Sequence, residues 1–459
     1  MIDWPTALTY AAAVTGSPAR TQAVVAEVLR TAPVFRNKEF PLSVLPVVIR
    51  HSAAVTYVRS AEAYVELLDK IVRLYFAEEE VRRWYGLDAA AEALVLADQR
   101  LGGDVAVCRL DGYLEQGTER PFLLENNADA PAGTLFTARI NELVRCALDA
   151  AGVPTRALSP LTYAGEGSLL AALVDCVRRA GDSDPADVAI LQPTGAANRE
   201  SIETALALQG LGINAFVADP RTVEVSGPRV SFGGRPADVC WNKVNTASWR
   251  RLVGADPDVV QTWMRAVDAT SFVHVNPFGA RYVAENKLSL ALPQEARFAH
   301  LFTAAERELA VRFLPWAARL TKESTAPEGA MSLYDDLLER PADYVLKEPY
   351  DIRGDGVSIG RSIGRDAWEK AAGRALAEHH LVQRYLPPAS YPTLRAGDPA
   401  VVSMPISMDT YVFNGRVHGF GSKASLNARV NVFQGGQKLA VHVVDDEHDV
   451  NHEAGAGAS

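Results

Sequence analysis

The spacing of apolar residues changes several times along this chain. Over residues 21–30 and 60–75 they recur at intervals of three and four, which predicts helices with one buried stripe. Phe40-Pro41-Leu42-Ser43-Val44-Leu45-Pro46 interrupts them, since proline lacks a backbone donor and disfavours helix interiors. Residues 1–100 are therefore expected to form a mainly helical N-terminal region. From Val105 the period falls to two: Val105-Ala106-Val107-Cys108-Arg109-Leu110-Asp111 reads as a strand, and Pro121-Phe122-Leu123-Leu124-Glu125 as its hairpin partner, with Gly117 in the turn.

Strand and helix then alternate. Residues 187–192 and 214–217 read as short buried strands around a helix at 200–211, so 151–245 forms a small Rossmann-like unit. It lacks GxGxxG, and no dinucleotide site is assigned to it. Residues 281–320 return to a helical pattern. From Tyr344 onward the chain is β-rich, with one helix near 366–378. Residues 445–459 are acidic, then rich in alanine and glycine, and are expected to be a disordered tail.

At 459 residues the chain is long enough for two or three units with large cores. Its 48% hydrophobic and 22% charged residues are those of an ordinary globular protein. The net charge of −10 argues against nucleic acid as a partner, while leaving room for one nucleotide in a local basic pocket. No apolar run reaches membrane-span length, and the start lacks the regions of a signal peptide. The expected location is the cytoplasm. Cys108, Cys146, Cys176 and Cys240 form no CxxC pair and are read as reduced thiols.

The first chemical signal is Leu124-Glu125-Asn126-Asn127-Ala128-Asp129-Ala130-Pro131. Side chains two apart on a strand share a face, so Glu125 and Asn127 project together, and a hairpin brings Asp111 alongside. Two carboxylates and an amide oxygen suit magnesium, which prefers hard oxygen ligands. Arg109 shares the Asp111 face and offers a planar fork of donors to a terminal phosphate. A polar turn capped by Asn and Asp explains this segment equally well when it is taken alone.

The second signal runs from Tyr344 to Gly360, where a strand delivers Lys347 and a loop with Arg353, Gly354 and Gly356 follows. Glycines let the backbone approach phosphate oxygens closely. Taken alone, Gly354-Asp355-Gly356 is more often a hairpin turn. Lys287 in Glu285-Asn286-Lys287-Leu288 is by itself more often a solvated surface residue. His380-Leu381-Val382-Gln383-Arg384-Tyr385-Leu386-Pro387 reads as a strand with a proline stop; it can offer backbone groups to an adenine edge and Tyr385 or Leu386 to its face, and is otherwise a plain core strand. His379 and His380 are adjacent, point different ways and are read as structural.

The order of these segments resembles the synthetase domain of glutathionylspermidine synthetase and related circularly permuted ATP-grasp proteins, over residues 101–433. Arg109-Leu110-Asp111 is similar to that family's arginine-x-aspartate strand, and Glu125-Asn126-Asn127-Ala128-Asp129-Ala130-Pro131 to its Glu-x-Asn-Ala-Asp-Thr-Pro motif, with Ala130 in place of threonine. The resemblance implies magnesium ligands at Asp111, Glu125 and Asn127 and a phosphate-contacting arginine at Arg109. It also implies ATP contacts at Lys287, Lys347, Arg353, Gly354, Gly356, Gln383, Tyr385 and Leu386. No cysteine–histidine amidase domain is read here, and the relatives' hydrolytic activity is not expected. The late strand Gly419-Phe420-Gly421-Ser422-Lys423-Ala424 carries no substrate residue over from the family.

The implied fold is α/β (α+β): a circularly permuted ATP-grasp core with an inserted Rossmann-like unit and a helical N-terminal region. The expected division is 1–100 helical, 101–150 metal-binding core, 151–245 Rossmann-like, 246–444 ATP-binding core and 445–459 tail. The implied reaction joins a small carboxylic acid, such as an amino acid or short peptide, to an amine, using ATP and magnesium through an acyl phosphate. A small-molecule kinase on the same site and a non-catalytic nucleotide- or peptide-binding protein are the alternatives.

Overall fold

The computed structural model describes residues 1–446 except 33, 36–37, 40, 99–104, 163–166, 182–184, 197, 330, 352–353, 399 and 433–434. Residues 447–459 of the expected tail therefore lie outside the described residues.

Three sheets organise the chain. The largest has six strands in the order Val47–Arg50, Gln437–Val444, Arg416–Ala424, Met408–Phe413, Val107–Leu114 and Pro121–Asn127. Its first pair is parallel and every other pair antiparallel. The N-terminal region is thus tied into this sheet by its own strand at 47–50. Its long helix, His51–Ala77, carries Tyr57, Ala61, Tyr64, Val65, Leu68, Ile71, Val72 and Tyr75 on a fully buried stripe, the spacing of three and four seen in the sequence.

A four-stranded parallel sheet, in the order Val273–Val275, Val239–Asn242, Asp187–Leu191 and Asn214–Ala218, forms the Rossmann-like unit. Its strands are short and nearly all apolar, as expected where helices cover both faces. A second four-stranded sheet, wholly antiparallel, runs Ala317–Arg319, Leu381–Arg384, Tyr344–Lys347 and Val357–Ile359. Trp368, Ala372 and Ala375 of the helix Arg365–Glu378 pack beneath it with Leu346 and Val382.

Residues 281–320 depart from the expected helical run. A π-helical turn at Ala280–Ala284 and short 3-10 turns from Lys287 to Leu301 precede the one regular helix there, Ala304–Phe313. Asn286 caps the Lys287 turn by accepting from the Leu288 N–H, and Pro293 prevents a continuous helix. This irregular segment is buried throughout its first half and places Lys287 between the six-stranded sheet and the four-stranded antiparallel one.

Candidate active site between two sheets

Register alone assembles one wall of the site. Asp111 pairs with Glu125, and Arg109 with Asn127, across the hairpin. Directly paired residues project to the same side, and so do residues two apart. Across the next strand Asp111 pairs with Asp409, which in turn pairs with Gly421; Lys423 lies two residues on and pairs with Lys438. Seven polar side chains therefore occupy one face of one sheet.

Their charges alternate. Arg109 donates to both oxygens of Asp111, Nε to Oδ1 at 2.6 Å and Nη2 to Oδ2 at 3.0 Å. It also reaches Asn127 Oδ1 at 3.3 Å and the Ala132 carbonyl at 2.8 Å. Lys423 Nζ bridges Asp111 at 2.7 Å and Asp409 at 3.0 Å, and Lys438 Nζ lies 3.3 Å from the other Asp409 oxygen. Burial penalises the Asp111 carboxylate, yet Arg109 and Lys423 outweigh it and hold its pKa below the usual carboxylate range.

The four-stranded antiparallel sheet supplies the opposite wall. Lys347 is buried at the end of its strand and donates from Nζ to the Leu124 carbonyl at 2.7 Å. Burial pushes the Lys347 ammonium down to about 8, against the pull of Glu125. Lys287 contacts Glu125 Oε1 at 2.9 Å and Asp351 Oδ1 at 2.5 Å. Burial would lower its pKa, but these two carboxylates raise it above the ordinary lysine value. Lys287 is thus a buried residue of the site and not the solvated one its local sequence suggests.

Gly354 has φ +73°, a conformation that favours glycine, and a side chain at Gly356 would meet Asp351 and Glu348 at under 3.0 Å. The loop closes on itself through Glu348 N–H to the Gly356 carbonyl at 3.0 Å. It is the turn of the hairpin formed by Tyr344–Lys347 and Val357–Ile359, and Gly354 borders the cavity beside Lys347. Arg353 lies outside the described residues. Gln383 pairs with Val345, is buried, and among the described residues no group partners its Nε2. Tyr385 follows the strand, with the Arg361 guanidinium 4.0 Å from its ring centre.

A cavity of about 420 Å3 lies between these walls. Arg109, Asp111, Glu125, Asn127, Lys347, Gly354, Gln383, Tyr385 and Leu386 line it, so of the residues singled out in sequence all but Lys287, Gly356 and the undescribed Arg353 border this space. Lys287 reaches it through Glu125. The structure adds Lys423 and Lys438, both held by the fully buried Asp409, and also Lys243, whose ammonium pairs with the buried Glu200 at 3.1 Å and donates to the Pro131 carbonyl. The missed signal was a charged residue within an otherwise apolar strand, as in Met408-Asp409-Thr410-Tyr411-Val412 and Gln437-Lys438-Leu439-Ala440-Val441.

Among the described residues, no group of three or more histidine, cysteine or carboxylate side chains could hold a metal. The metal reading rests instead on two carboxylates and one amide. That set leaves positions for water and phosphate oxygens, as magnesium requires, and its residues share one face in register.

No protein-family model and no curated protein matches the chain in sequence. Among solved structures, the chain is similar to a glutathione synthetase-like effector from Globodera pallida, with TM-score 0.58 and 13% identity over 93% of this chain and 96% of that one. A putative γ-glutamylcysteine synthetase from Methylobacillus flagellatus gives TM-score 0.40 at 11% identity over 82% and 87%. A RimK-domain ATP-grasp protein from Sphaerobacter thermophilus gives 0.28 at 18% over 52% and 91%. The last two likenesses are too loose to carry an argument. The fold is mixed α/β and is shared with the glutathione synthetase-like effector, and in this chain the Asp111–Glu125 hairpin precedes the lysine-bearing sheet.

Proposed function

We propose that this protein is an ATP- and magnesium-dependent carboxylate–amine ligase acting through an acyl phosphate. One observation carries the reading. A single cavity is walled on one side by Arg109, Asp111, Glu125 and Asn127 in register, and on the other by Lys347, the glycine loop and Gln383. The fold shared with a protein described as glutathione synthetase-like supports it.

A carboxylate resists direct attack by an amine because its leaving group would be oxide. Transfer of the γ-phosphoryl group to the carboxylate gives an acyl phosphate and ADP. The amine then attacks the acyl carbon, phosphate leaves, and an amide remains. Such transfer depends mainly on alignment and charge neutralisation. Lys347 and Lys287 neutralise the inner phosphates, while the backbone around Gly354 closes over them. Gln383, Tyr385 and Leu386 hold the adenine. Arg109 gathers charge at the terminal phosphate, oriented by its paired contacts to Asp111. Asp111, Glu125 and Asn127 would hold magnesium, which when bound spreads phosphate charge.

An ADP-release screen over acids paired with amines, with hydroxylamine replacing the amine, tests this reading. Acid-dependent ADP release with hydroxamate formation is expected. A phosphoester product, or nucleotide binding without acid-dependent turnover, would refute it.

A further inference from the structure

On the ligase reading, we propose that the Lys438 ammonium anchors a second carboxylate of the acyl donor, so that the acid carries an anionic group besides the one that is activated. One connected row of ion pairs on the sheet face has more cations than anions: Arg109, Lys423 and Lys438 share the carboxylates of Asp111 and Asp409, while Glu125 on the same face is engaged by Lys287. A lysine has three donors, and the ion-pair contact of Lys438 is the longest of the row, to an aspartate already engaged by Lys423. Its side chain is only 12% exposed and lines the cavity. A cation held this far from water is stabilised by a further anion.

The sheet order says where that anion comes from. Lys347 meets the sheet at the Pro121–Asn127 strand, through the Leu124 carbonyl. The Lys438 strand lies four places across in the order, roughly 19 Å at the usual strand spacing. Arg109 and Asp111 stand between them. A triphosphate whose inner phosphates meet Lys347 and whose end meets Arg109 leaves Lys438 on its far side. In-line transfer brings the attacking carboxylate in from that side, opposite the departing ADP. The acid then spans from Arg109 toward Lys438, its reacting carboxylate at the phosphorus and its second one on the ammonium. Burial pushes Lys438 down to about 8, against the pull of Asp409, so it is protonated at neutral pH.

The same ammonium would serve equally well for the γ-phosphate itself, and the experiment separates the two oxyanions. Protein saturated with magnesium and a non-hydrolysable ATP analogue is titrated calorimetrically with glutarate and with pentanoate, five-carbon acids with two and one carboxylates. Glutarate is expected to bind at least about tenfold more tightly. Lys438→Met removes that preference, Lys438→Arg keeps most of it, and analogue affinity is the same in all three proteins. Equal affinity of the wild-type protein for both acids, or binding of neither, overturns the proposal without recourse to any variant. So does a Lys438→Met protein that loses analogue affinity and keeps the glutarate preference, which would put Lys438 on the nucleotide. Acid-dependent ADP release is scored separately. Release with pentanoate as readily as with glutarate overturns the anchor and leaves the ligase standing. No release with any acid refutes the ligase, while the calorimetric arm still decides whether Lys438 holds a carboxylate.

Discussion

The Lys287 ammonium stands 2.9 Å from a carboxylate oxygen of Glu125, so a residue proposed for phosphate and a residue proposed for the metal neutralise one another before either meets a ligand. Asp351 holds Lys287 from the other side and is itself almost fully buried. Glu125→Gln therefore leaves Lys287 with a partner. It is expected to melt within a few degrees of wild type while losing at least about 100-fold in turnover, as when one charge-stabilising group is deleted from a preorganised site. EDTA should abolish wild-type activity, and magnesium should restore it. Near-normal turnover of Glu125→Gln would remove this carboxylate from the reaction.

Lys347 gives the site a pH signature. Its ammonium, lowered to about 8 by burial, is neutral above that pH in the free protein. Bound phosphate favours the charged form. Nucleotide binding near pH 9 should then take up a proton, seen as a dependence of the calorimetric enthalpy on the buffer's ionisation heat, and little should be taken up at pH 6.5. Lys347→Ala should bind ATP more weakly and show no such uptake.

Lys243 and Glu200 form a buried ion pair at 3.1 Å. Glu200 also accepts from Thr134 Oγ1 and the Leu135 N–H, both at 3.0 Å, and so fixes the turn after Asn127 to the Rossmann-like unit. Lys243→Met strands the carboxylate and should cost about 3–5 kcal/mol in denaturant unfolding. The double variant with Glu200→Met should be less destabilised than Lys243→Met alone.

His442 sets an acid limit on stability. Burial holds its pKa down at about 4 in the fold, against about 6.5 when unfolded. A lowered folded-state value means the unfolded chain takes the proton first as pH falls. Its contribution is complete above about pH 6.5 and is lost progressively towards pH 4, amounting to roughly 3 kcal/mol. His442→Gln should show a shallower fall in melting temperature across that window.

Much of this site was legible because strand alternation is a short-range rule. Once Val105-to-Asp111 and Pro121-to-Glu125 read as a hairpin, the shared face of Arg109, Asp111, Glu125 and Asn127 followed, and the structure has it. The strand at Lys347 and the helix near 366–378 were equally visible. Lys287 was not placed by its surroundings, because a buried lysine is recognised only by partners distant in sequence, here Glu125 and Asp351. Asp409 and Lys438 were missed for a related reason. In an alternating strand a charge is assigned to the solvent face, but here Lys438 lines the cavity and Asp409 is fully buried, held by Lys423 and Lys438. The 281–320 segment was read as helix from its apolar spacing, and Pro293 with the Asn286 cap broke it into short turns.

The identity of the spent nucleotide tests the central claim most directly. With Lys347 and Lys287 on the inner phosphates and Arg109 at the outer end, the terminal phosphorus is the one left open to a carboxylate. Chromatography of a reaction supplied with ATP, acid and amine should show ADP and inorganic phosphate rising in step with amide. AMP and pyrophosphate accumulating with the amide would contradict the acyl-phosphate account, and with it the assignments of Arg109 and Glu125.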